Sequence, residues 1–164
     1  NLVLYCIYFW WLVTPQNPLK KSLEMPTTRE RIEFASKLNL PVWIQLTDLE
    51  LNYKTKYTSE TLQKLITRFP KANFIWLMGA DNLLQINLWM NWTAIFNRVR
   101  IAVFDREKYR YKSLFSKASI KYKKNRVSIS RPTYIWQKSP PSWIFFSSEK
   151  VDLSSSQIRS RKKE

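Results

Sequence analysis

Apolar runs alternate with helical patterns along most of the chain. The clearest run extends from Phe74 to Met78 and leads directly into Gly79, the only glycine of the sequence. An uninterrupted apolar run predicts a strand buried on both faces, as in a parallel sheet covered by helices. Behind Gly79, apolar residues recur at the spacing of a single helix, at Leu84, Leu88, Trp92 and Ile95. We therefore predict a strand, a turn and a helix here, and open α/β sheets bind ligands at the carboxyl ends of such strands.

Other segments extend this alternation. Apolar runs predict a buried strand at Phe9 to Val13 and further strands at Val42 to Leu46, Arg100 to Phe104 and Trp143 to Phe146. One predicted helix follows the capping-box pattern of Thr27 and Glu30, and another begins with Thr58 or Ser59 as its cap. Strands that alternate with helices indicate parallel β-α-β units. We expect an α/β fold, a Rossmann-like parallel sheet flanked by helices, in a single domain over residues 1–164.

The composition excludes several kinds of active site. Because the chain has no histidine, it has no histidine base, catalytic triad or histidine-bound zinc. A single glycine excludes glycine-rich phosphate loops, so helix amino ends and cationic side chains must hold any phosphate. One cysteine, Cys6, excludes an internal disulfide and favours a reducing cytoplasm. Asp48 and Glu50 have no further ligands nearby and are interpreted as polar residues of a loop.

The formal charge of +16 suggests an anionic partner, such as nucleotide phosphates, nucleic acid or an acidic membrane surface. A lysine- and asparagine-rich composition explains the same charge without any partner. Between Lys108 and Arg131, basic residues alternate with aromatic ones. This pattern is typical of a surface for single-stranded nucleic acid, and also of a solvated helical face with tyrosines packed beneath it. The apolar run from Leu2 to Val13 is shorter than the roughly 20 residues that span a bilayer, so no membrane partner is expected.

Four segments, taken in order, resemble the bacterial nicotinate-nucleotide adenylyltransferases of the nucleotidyltransferase superfamily. They are Trp10 to Lys20, Tyr57 to Leu62, Trp76 to Leu84 followed by Trp89 and Trp92, and Leu153 to Arg159. The last segment is similar to the I-S-S-T-x-x-R signature of that family, with Ser156 in the place of the threonine. The resemblance covers the chain from about Phe9 to Arg159 and implies a single nucleotidyltransferase-like domain.

The resemblance implies transfer of AMP from ATP to nicotinate mononucleotide, which yields deamido-NAD and pyrophosphate and uses Mg²⁺ with the ATP. The partners are then ATP and nicotinate mononucleotide, in a step of cytoplasmic NAD biosynthesis. Catalysis in this family works by positioning and by neutralising phosphate charge. Three alternatives stay open: a basic nucleic-acid-binding protein, an inactive relic, and a related adenylyltransferase for the amide mononucleotide or for pantetheine phosphate.

The resemblance also assigns roles to individual residues. Those expected to bind ATP or its phosphates are Lys20, Gly79, Asp81, Ser154, Ser155, Ser156 and Arg159. Those expected to bind nicotinate mononucleotide are Thr58 at the ring carboxylate, Trp89 stacked on the ring, and Arg106. Trp92 is expected in the core, and Met90 follows the stacking tryptophan where the family has an aromatic or polar residue.

The sequence departs from the family pattern at its front. The family begins with a strand and the motif G-x-F-x-P-x-H-x-G-H, whose histidines contact the ATP phosphates, and neither is present here. By the resemblance, the first strand, the phosphate loop and the first helix are missing, through truncation of the sequence or decay of the gene. Loss of two such donors, each worth about 3–4 kcal/mol by analogy with an oxyanion donor, predicts slow adenylyl transfer by this chain alone.

Overall fold

A computed structural model describes residues 8–13 and 26–147. The chain divides into two compact units, Asn1–Lys64 and Leu65–Glu164. Whether they act as the expected single domain stays a prediction, and each unit is described by itself. No helix in the described ranges is long and apolar enough to cross a membrane.

The N-terminal unit contains a two-stranded parallel sheet. Its elements are β1 (Phe9–Leu12), α1 (Thr28–Ser36), β2 (Ile44–Thr47), α2 (Leu49–Asn52) and the first part of α3 (Thr58–Arg68). Phe9 is opposite Ile44 in the register of β1 and β2. A parallel pair needs a crossover between its strands, and α1, which contacts β2, lies within that connection.

The two predicted helix starts differ in outcome. The capping box before α1 is confirmed: Thr27 Oγ1 accepts from the Glu30 N–H at 3.2 Å, and a Glu30 carboxylate oxygen accepts from the Thr27 N–H at 2.7 Å. Thr27 Oγ1 also donates to the same carboxylate oxygen at 2.8 Å. This bond and, second, the bond from the Thr27 backbone N–H lower the pKa of Glu30. The predicted cap of α3 is wrong. The Tyr57 carbonyl accepts from the N–H groups of Glu60 and Thr61, so Thr58 and Ser59 lie inside the first turn.

Strand β1 is not the buried strand that its apolar run predicts. Phe9 is 43% exposed and Trp11 44%, and only Val13, just beyond the strand, is buried. Among the described strands, β1 pairs with β2 alone. An apolar run indicates burial only where other layers cover both faces of the strand, and within the described part of the chain most side chains of β1 stay exposed.

Glu50 also contradicts its sequence interpretation. It belongs to the short helix α2 rather than to a loop, and only 7% of its surface is exposed. Burial disfavours the charged carboxylate and raises the pKa of Glu50 above its ordinary value. The backbone turns sharply after this helix at Lys54, which adopts a left-handed conformation with φ of 50°.

The C-terminal unit contains a four-stranded, wholly parallel sheet in the order β3-β4-β6-β5. Its strands are β3 (Ile75–Gly79), β4 (Arg100–Phe104), β5 (Arg126–Val127) and β6 (Trp143–Phe146). Its helices are α4 (Ala80–Gln85), α5 (Trp92–Arg98), α6 (Arg110–Leu114) and α7 (Lys117–Lys121), with 3₁₀ turns at Ile86–Leu88, Glu107–Tyr109, Lys123–Asn125 and Pro132–Gln137. The predicted α/β class with a parallel sheet and flanking helices is confirmed.

The two faces of this sheet are covered unequally. Helix α4 contacts β3 and β4 on one face, where Met78, Ile101 and Val103 are buried. The opposite face carries a smaller cluster of Ala102, Val127, Ile135 and Ile144. On that face Leu77 is 41% exposed, so the prediction that this strand is buried on both sides is wrong at Leu77.

The predicted single helix behind Gly79 is divided in two. Helix α4 ends at Gln85, a 3₁₀ turn follows, and α5 begins only at Trp92. Asn91 precedes α5 in a left-handed conformation with φ of 52°, which interrupts the helical path. The apolar spacing therefore misplaces Leu88, which is 64% exposed.

Candidate functional site

The carboxyl ends of β3 and β4 bring together three of the predicted site residues. Gly79 ends β3 and is opposite Phe104, the last residue of β4, in the parallel register. Asp81 lies in the first turn of α4, and Arg106 follows β4 by two residues. Because parallel strands end at the same edge of a sheet, the segments behind them meet, and Arg106 Nη1 lies 3.0 Å from Asp81 Oδ2. We call Gly79, Asp81 and Arg106 the strand-end cluster.

Gly79 matters for the space it leaves rather than for conformational freedom. Its φ of −81° and ψ of 161° are extended values that any residue adopts. A Cβ atom at this position would overlap Asp81 Oδ1 and lie 3.1 Å from Arg106 Nε. The turn therefore does not depend on glycine flexibility. Instead, the missing side chain lets the ion pair close over the end of the strand.

Asp81 has one oxygen engaged and one without a partner. Oδ2 pairs with Arg106, whereas Oδ1 is buried and accepts no hydrogen bond from the described residues. A buried acceptor without a donor is unfavourable, so this atom favours a ligand that brings a hydroxyl or amide proton. The Asp81 side chain is 24% exposed and that of Arg106 59%, so solvent and a ligand can both reach the pair.

A second ion pair, which the sequence patterns did not indicate, lies directly behind β4. Arg110 Nε donates to Asp105 Oδ2, and the Asp105 side chain is only 1% exposed. Like Asp81 Oδ1, Asp105 Oδ1 is buried and, within residues 8–13 and 26–147, accepts no hydrogen bond. No sequence motif links an aspartate after a strand to an arginine five residues later, so the pair is visible only in the folded chain.

Trp89 and Thr58 lie apart from the strand-end cluster in the chain. Trp89 is half-buried behind the 3₁₀ turn, its N–H donates to Ile86 O at 2.9 Å, and within the described ranges no aromatic ring packs on it. Trp92 packs edge-on against Phe96 and Tyr122 at centroid distances of 6.1 Å, consistent with the expected core position. Thr58 belongs to the N-terminal unit, at the start of α3, and is half-buried there.

Five of the predicted phosphate-binding residues lie outside the described ranges: Lys20, Ser154, Ser155, Ser156 and Arg159. Their roles stay predictions. Within residues 8–13 and 26–147, no group of three or more aspartate, glutamate, cysteine or histidine side chains is placed to hold a metal ion.

The parallel sheet with residues gathered at its strand ends matches a known class of proteins. A family model for cytidylyltransferase-like proteins covers residues 6–161, and the chain belongs to that family. Within the family, its sequence belongs with the nicotinate-nucleotide adenylyltransferases. The resemblance inferred from the four sequence segments is thereby confirmed.

Two bacterial relatives illustrate the relationship. A probable nicotinate-nucleotide adenylyltransferase of Ruegeria sp. (strain TM1040) is 36% identical over 152 residues, which cover 93% of this chain and 80% of that relative. The protein of the same name from Agrobacterium fabrum is 34% identical over 154 residues, covering 94% and 82% of the two chains.

Solved structures share the fold. The Plasmodium falciparum nicotinic acid mononucleotide adenylyltransferase complexed with NaAD superposes with a TM-score of 0.60 at 15% identity, over 94% of this chain and 68% of that one. The complex of the same enzyme with APC gives a TM-score of 0.57 at 16% identity and the same coverage. At this level of identity, the likeness concerns the fold alone.

Proposed function

We propose that this chain transfers the adenylyl group of ATP to nicotinate mononucleotide, forming deamido-NAD and pyrophosphate. An oxygen of the mononucleotide 5′-phosphate forms a bond to the α-phosphorus of ATP, and the bond from that phosphorus to the bridging oxygen of pyrophosphate breaks. No protein nucleophile is needed. The observation that carries the proposal is the strand-end cluster, in a chain that belongs with the nicotinate-nucleotide adenylyltransferases.

The strand-end cluster suits a nucleotide that carries both hydroxyl and phosphate groups. The unpartnered Asp81 Oδ1 is suited to accept a hydrogen bond from a ribose hydroxyl. Arg106 keeps a permanently charged, largely exposed guanidinium beside it, which is suited to phosphate. Gly79 leaves room for both groups. The ion pair holds the Asp81 and Arg106 side chains next to each other before the ligand binds.

The acceptor ring is assigned by resemblance to Trp89 and Thr58. A half-buried indole without an aromatic partner within the described ranges offers a face on which a pyridine ring stacks. The Thr58 hydroxyl, at the amino end of α3, is suited to the ring carboxylate. This assignment favours the acid mononucleotide over the amide.

Charge on the phosphates must be neutralised without histidine. We assign this task to Lys20 and Arg159 and to the hydroxyls of Ser154, Ser155 and Ser156, together with Arg106. A guanidinium forms forked hydrogen bonds to phosphate, and lysine adds a point charge. The reaction is assigned to the cytoplasm, where one cysteine needs no partner.

Members of this family generally use a divalent metal ion with ATP. We assign this role to Mg²⁺. Mg²⁺ usually keeps several water molecules and is bound through one or two carboxylates together with substrate phosphates. Asp81 is the carboxylate of the strand-end cluster that such an ion would meet. When bound, the ion lowers the negative charge of the phosphates.

Ligand-dependent thermal stability tests the binding part of this proposal. Nicotinate mononucleotide at about 100 times its dissociation constant should stabilise the protein by roughly 2.7 kcal/mol, because it binds only the folded state. For a chain of this size, that corresponds to an increase in melting temperature of about 5–10 °C. The amide mononucleotide at equal concentration should give a smaller shift. Equal shifts would overturn the assigned preference, and the absence of any shift with either nucleotide or ATP would overturn the site.

Product formation tests the chemistry separately. The chain is incubated with ATP, Mg²⁺ and nicotinate mononucleotide, and deamido-NAD is quantified by chromatography. Formation of deamido-NAD and pyrophosphate in equal amounts supports the proposal, even at a low rate. Nucleotide binding without product would identify a chain that retains the site and has lost the reaction.

A further inference from the structure

A basic surface with exposed aromatic rings lies beside the strand-end cluster in the chain and has no role in the proposed reaction. Between Lys108 and Ser147 the sequence has ten lysine and arginine residues and no carboxylate. Within this stretch, α6, α7 and the turn behind them expose Tyr111, Phe115 and Ile120 at 74%, 77% and 63%. The surrounding exposed lysines are Lys108, Lys112, Lys117, Lys121, Lys123 and Lys124. We call these nine side chains the α6–α7 surface.

The sequence pattern of this region is typical both of a surface for single-stranded nucleic acid and of a solvated helical face with tyrosines packed beneath it. In the structure, different aromatic residues fit the two interpretations. Tyr122 is packed beneath the helices, 5% exposed and stacked on Phe96 at 4.2 Å. Tyr111 and Phe115 are instead among the most exposed large side chains of the described chain. Aromatic rings packed under a solvated face therefore explain Tyr122 and leave Tyr111 and Phe115 without a structural function.

Buried contacts on the opposite side of α6 and α7 hold these helices in place. Ser113, Ser116 and Ser119 are buried and bonded to one another: Ser119 Oγ donates to Ser113 O at 2.6 Å, and the hydroxyls of Ser116 and Ser119 lie 3.1 Å apart. The Tyr122 hydroxyl donates to Asn97 Oδ1 at 3.2 Å. These bonds fix which side faces solvent, so the exposed rings are not needed to anchor the helices.

Tyr111 and Phe115 occupy one side of a helical turn. The Phe115 N–H donates to Tyr111 O at 3.3 Å, and residues four apart in a helix are neighbours, with Cβ atoms about 5–6 Å apart. None of the six lysines of the α6–α7 surface forms a salt bridge within the described ranges. Two adjacent rings surrounded by unpaired cations match the two needs of single-stranded nucleic acid, a stacking platform and phosphate neutralisation.

We propose that the α6–α7 surface binds single-stranded nucleic acid, with bases stacked on Tyr111 and Phe115 and phosphates held by the surrounding lysines. An anionic membrane fits less well, because α6 and α7, of five residues each, and Phe115 between them expose only three large apolar side chains, too few for the long apolar face of a membrane-surface helix. A duplex also fits less well, because its bases are already stacked within the helix and leave the rings without a partner.

The test uses a fluorescein-labelled 15-nucleotide uridine strand and fluorescence anisotropy on the full chain. Affinity should fall with salt, and its logarithmic slope should be about −0.7 for each phosphate contacted. Replacing Lys112, Lys117 and Lys121 with glutamine removes three phosphate contacts. The slope of log affinity against log salt concentration should therefore become less negative by about 2. The control variant replaces Lys37, Lys56 and Lys71 and removes the same charge elsewhere. If both triple variants lose affinity equally, net charge alone explains binding and the proposal fails.

Aromatic variants test stacking independently of charge. Tyr111→Ser combined with Phe115→Ser should weaken binding at least tenfold and leave the salt slope unchanged, while Phe34→Ser, at another exposed ring, should have no effect. Unchanged affinity in the double variant would exclude stacking and overturn the proposal. Binding to phosphatidylserine vesicles with no binding to the strand would identify a membrane partner instead. Because neither ring belongs to the nucleotide site, the melting-temperature shift with nicotinate mononucleotide should persist in the double variant.

Discussion

Arg106 and Asp81 are separated by 24 residues in sequence and joined by a 3.0 Å ion pair, which closes over a glycine. The contact depends on the parallel register of β3 and β4, because each side chain belongs to the segment that follows one of these strands. A solvent-accessible ion pair contributes little to stability. We therefore attribute to this pair a role in positioning the Asp81 and Arg106 side chains.

The first prediction concerns the space at Gly79. Gly79→Ala should displace the Asp81 side chain and weaken nucleotide binding at least tenfold, while the fold should lose about 1 kcal/mol or less, because the overlapped atoms belong to partly exposed side chains that can move. Urea unfolding and calorimetric titration measure the two effects. Because the backbone is extended here, strain in φ contributes nothing. In an Asp81→Ala background, the same substitution should therefore cost much less stability, and an undiminished cost would contradict the steric explanation.

The second prediction concerns Arg106. Arg106→Gln keeps hydrogen-bonding groups and removes the charge, and it should weaken nicotinate mononucleotide binding by about tenfold or more, in line with roughly 1.5–3 kcal/mol for a hydrogen bond to a charged group. Unfolding free energy should change by less than about 1 kcal/mol, since the Arg106 side chain is largely exposed. Arg98→Gln, at an exposed position on α5, is the matched control. Equal ligand affinity in both variants would remove Arg106 from the site.

The third prediction concerns Trp89. Trp89→Ala should weaken the binding of nicotinate mononucleotide at least tenfold, because stacking on an aromatic ring contributes about 1–3 kcal/mol per base. Trp89→Phe should restore most of the affinity, and Met90→Ala, at an exposed neighbour, should leave it unchanged. Dissociation constants for nicotinate mononucleotide and for ATP are measured in parallel. A loss confined to ATP would assign the ring to the other substrate.

The fourth prediction is a pH dependence of stability at Glu50. Burial raises its folded pKa, so the folded state binds the proton more tightly than the unfolded state. Stability should therefore fall as pH rises from the ordinary glutamate pKa of 4.5 through the raised folded pKa, and it should stay lower above that range. Glu50→Gln should raise the melting temperature at pH 7 and have little effect near pH 3.5. Glu33→Gln, on the exposed side of α1, controls for the change in net charge.

Sequence patterns located the features that depend on neighbouring residues. Strands β4 and β6 have the predicted bounds, and the capping box of Thr27 and Glu30 formed because both partners lie within one turn. The two-residue strand β5 was missed because Arg126 and Val127 are too short a run to show a period. Burial of β1 was overestimated because it depends on distant layers that a strand's own sequence does not encode.

The same distinction applies to the candidate site. Gly79 and Asp81 were predicted from a motif and Arg106 as a further contact outside the motifs, but the contact between them follows from the register of two strands. The left-handed residue Asn91 divides the predicted helix, and the apolar spacing gives no sign of this interruption. Asp105 and Arg110 form their pair without any motif at all. Distances across a fold are set by tertiary structure, and sequence spacing alone does not reveal them.

The scarcity of glycine has a practical consequence for engineering. A chain with one glycine must build its tight bends from other residues, and Lys54 does so with a positive φ of 50°. A side chain with a Cβ costs about 1–2 kcal/mol in that conformation, against roughly 0.4–1 kcal/mol for the extra freedom that glycine gains in the unfolded chain. Lys54→Gly should therefore raise the melting temperature, which suits crystallisation and long assays, at a position that is not itself assigned to nucleotide or nucleic-acid binding.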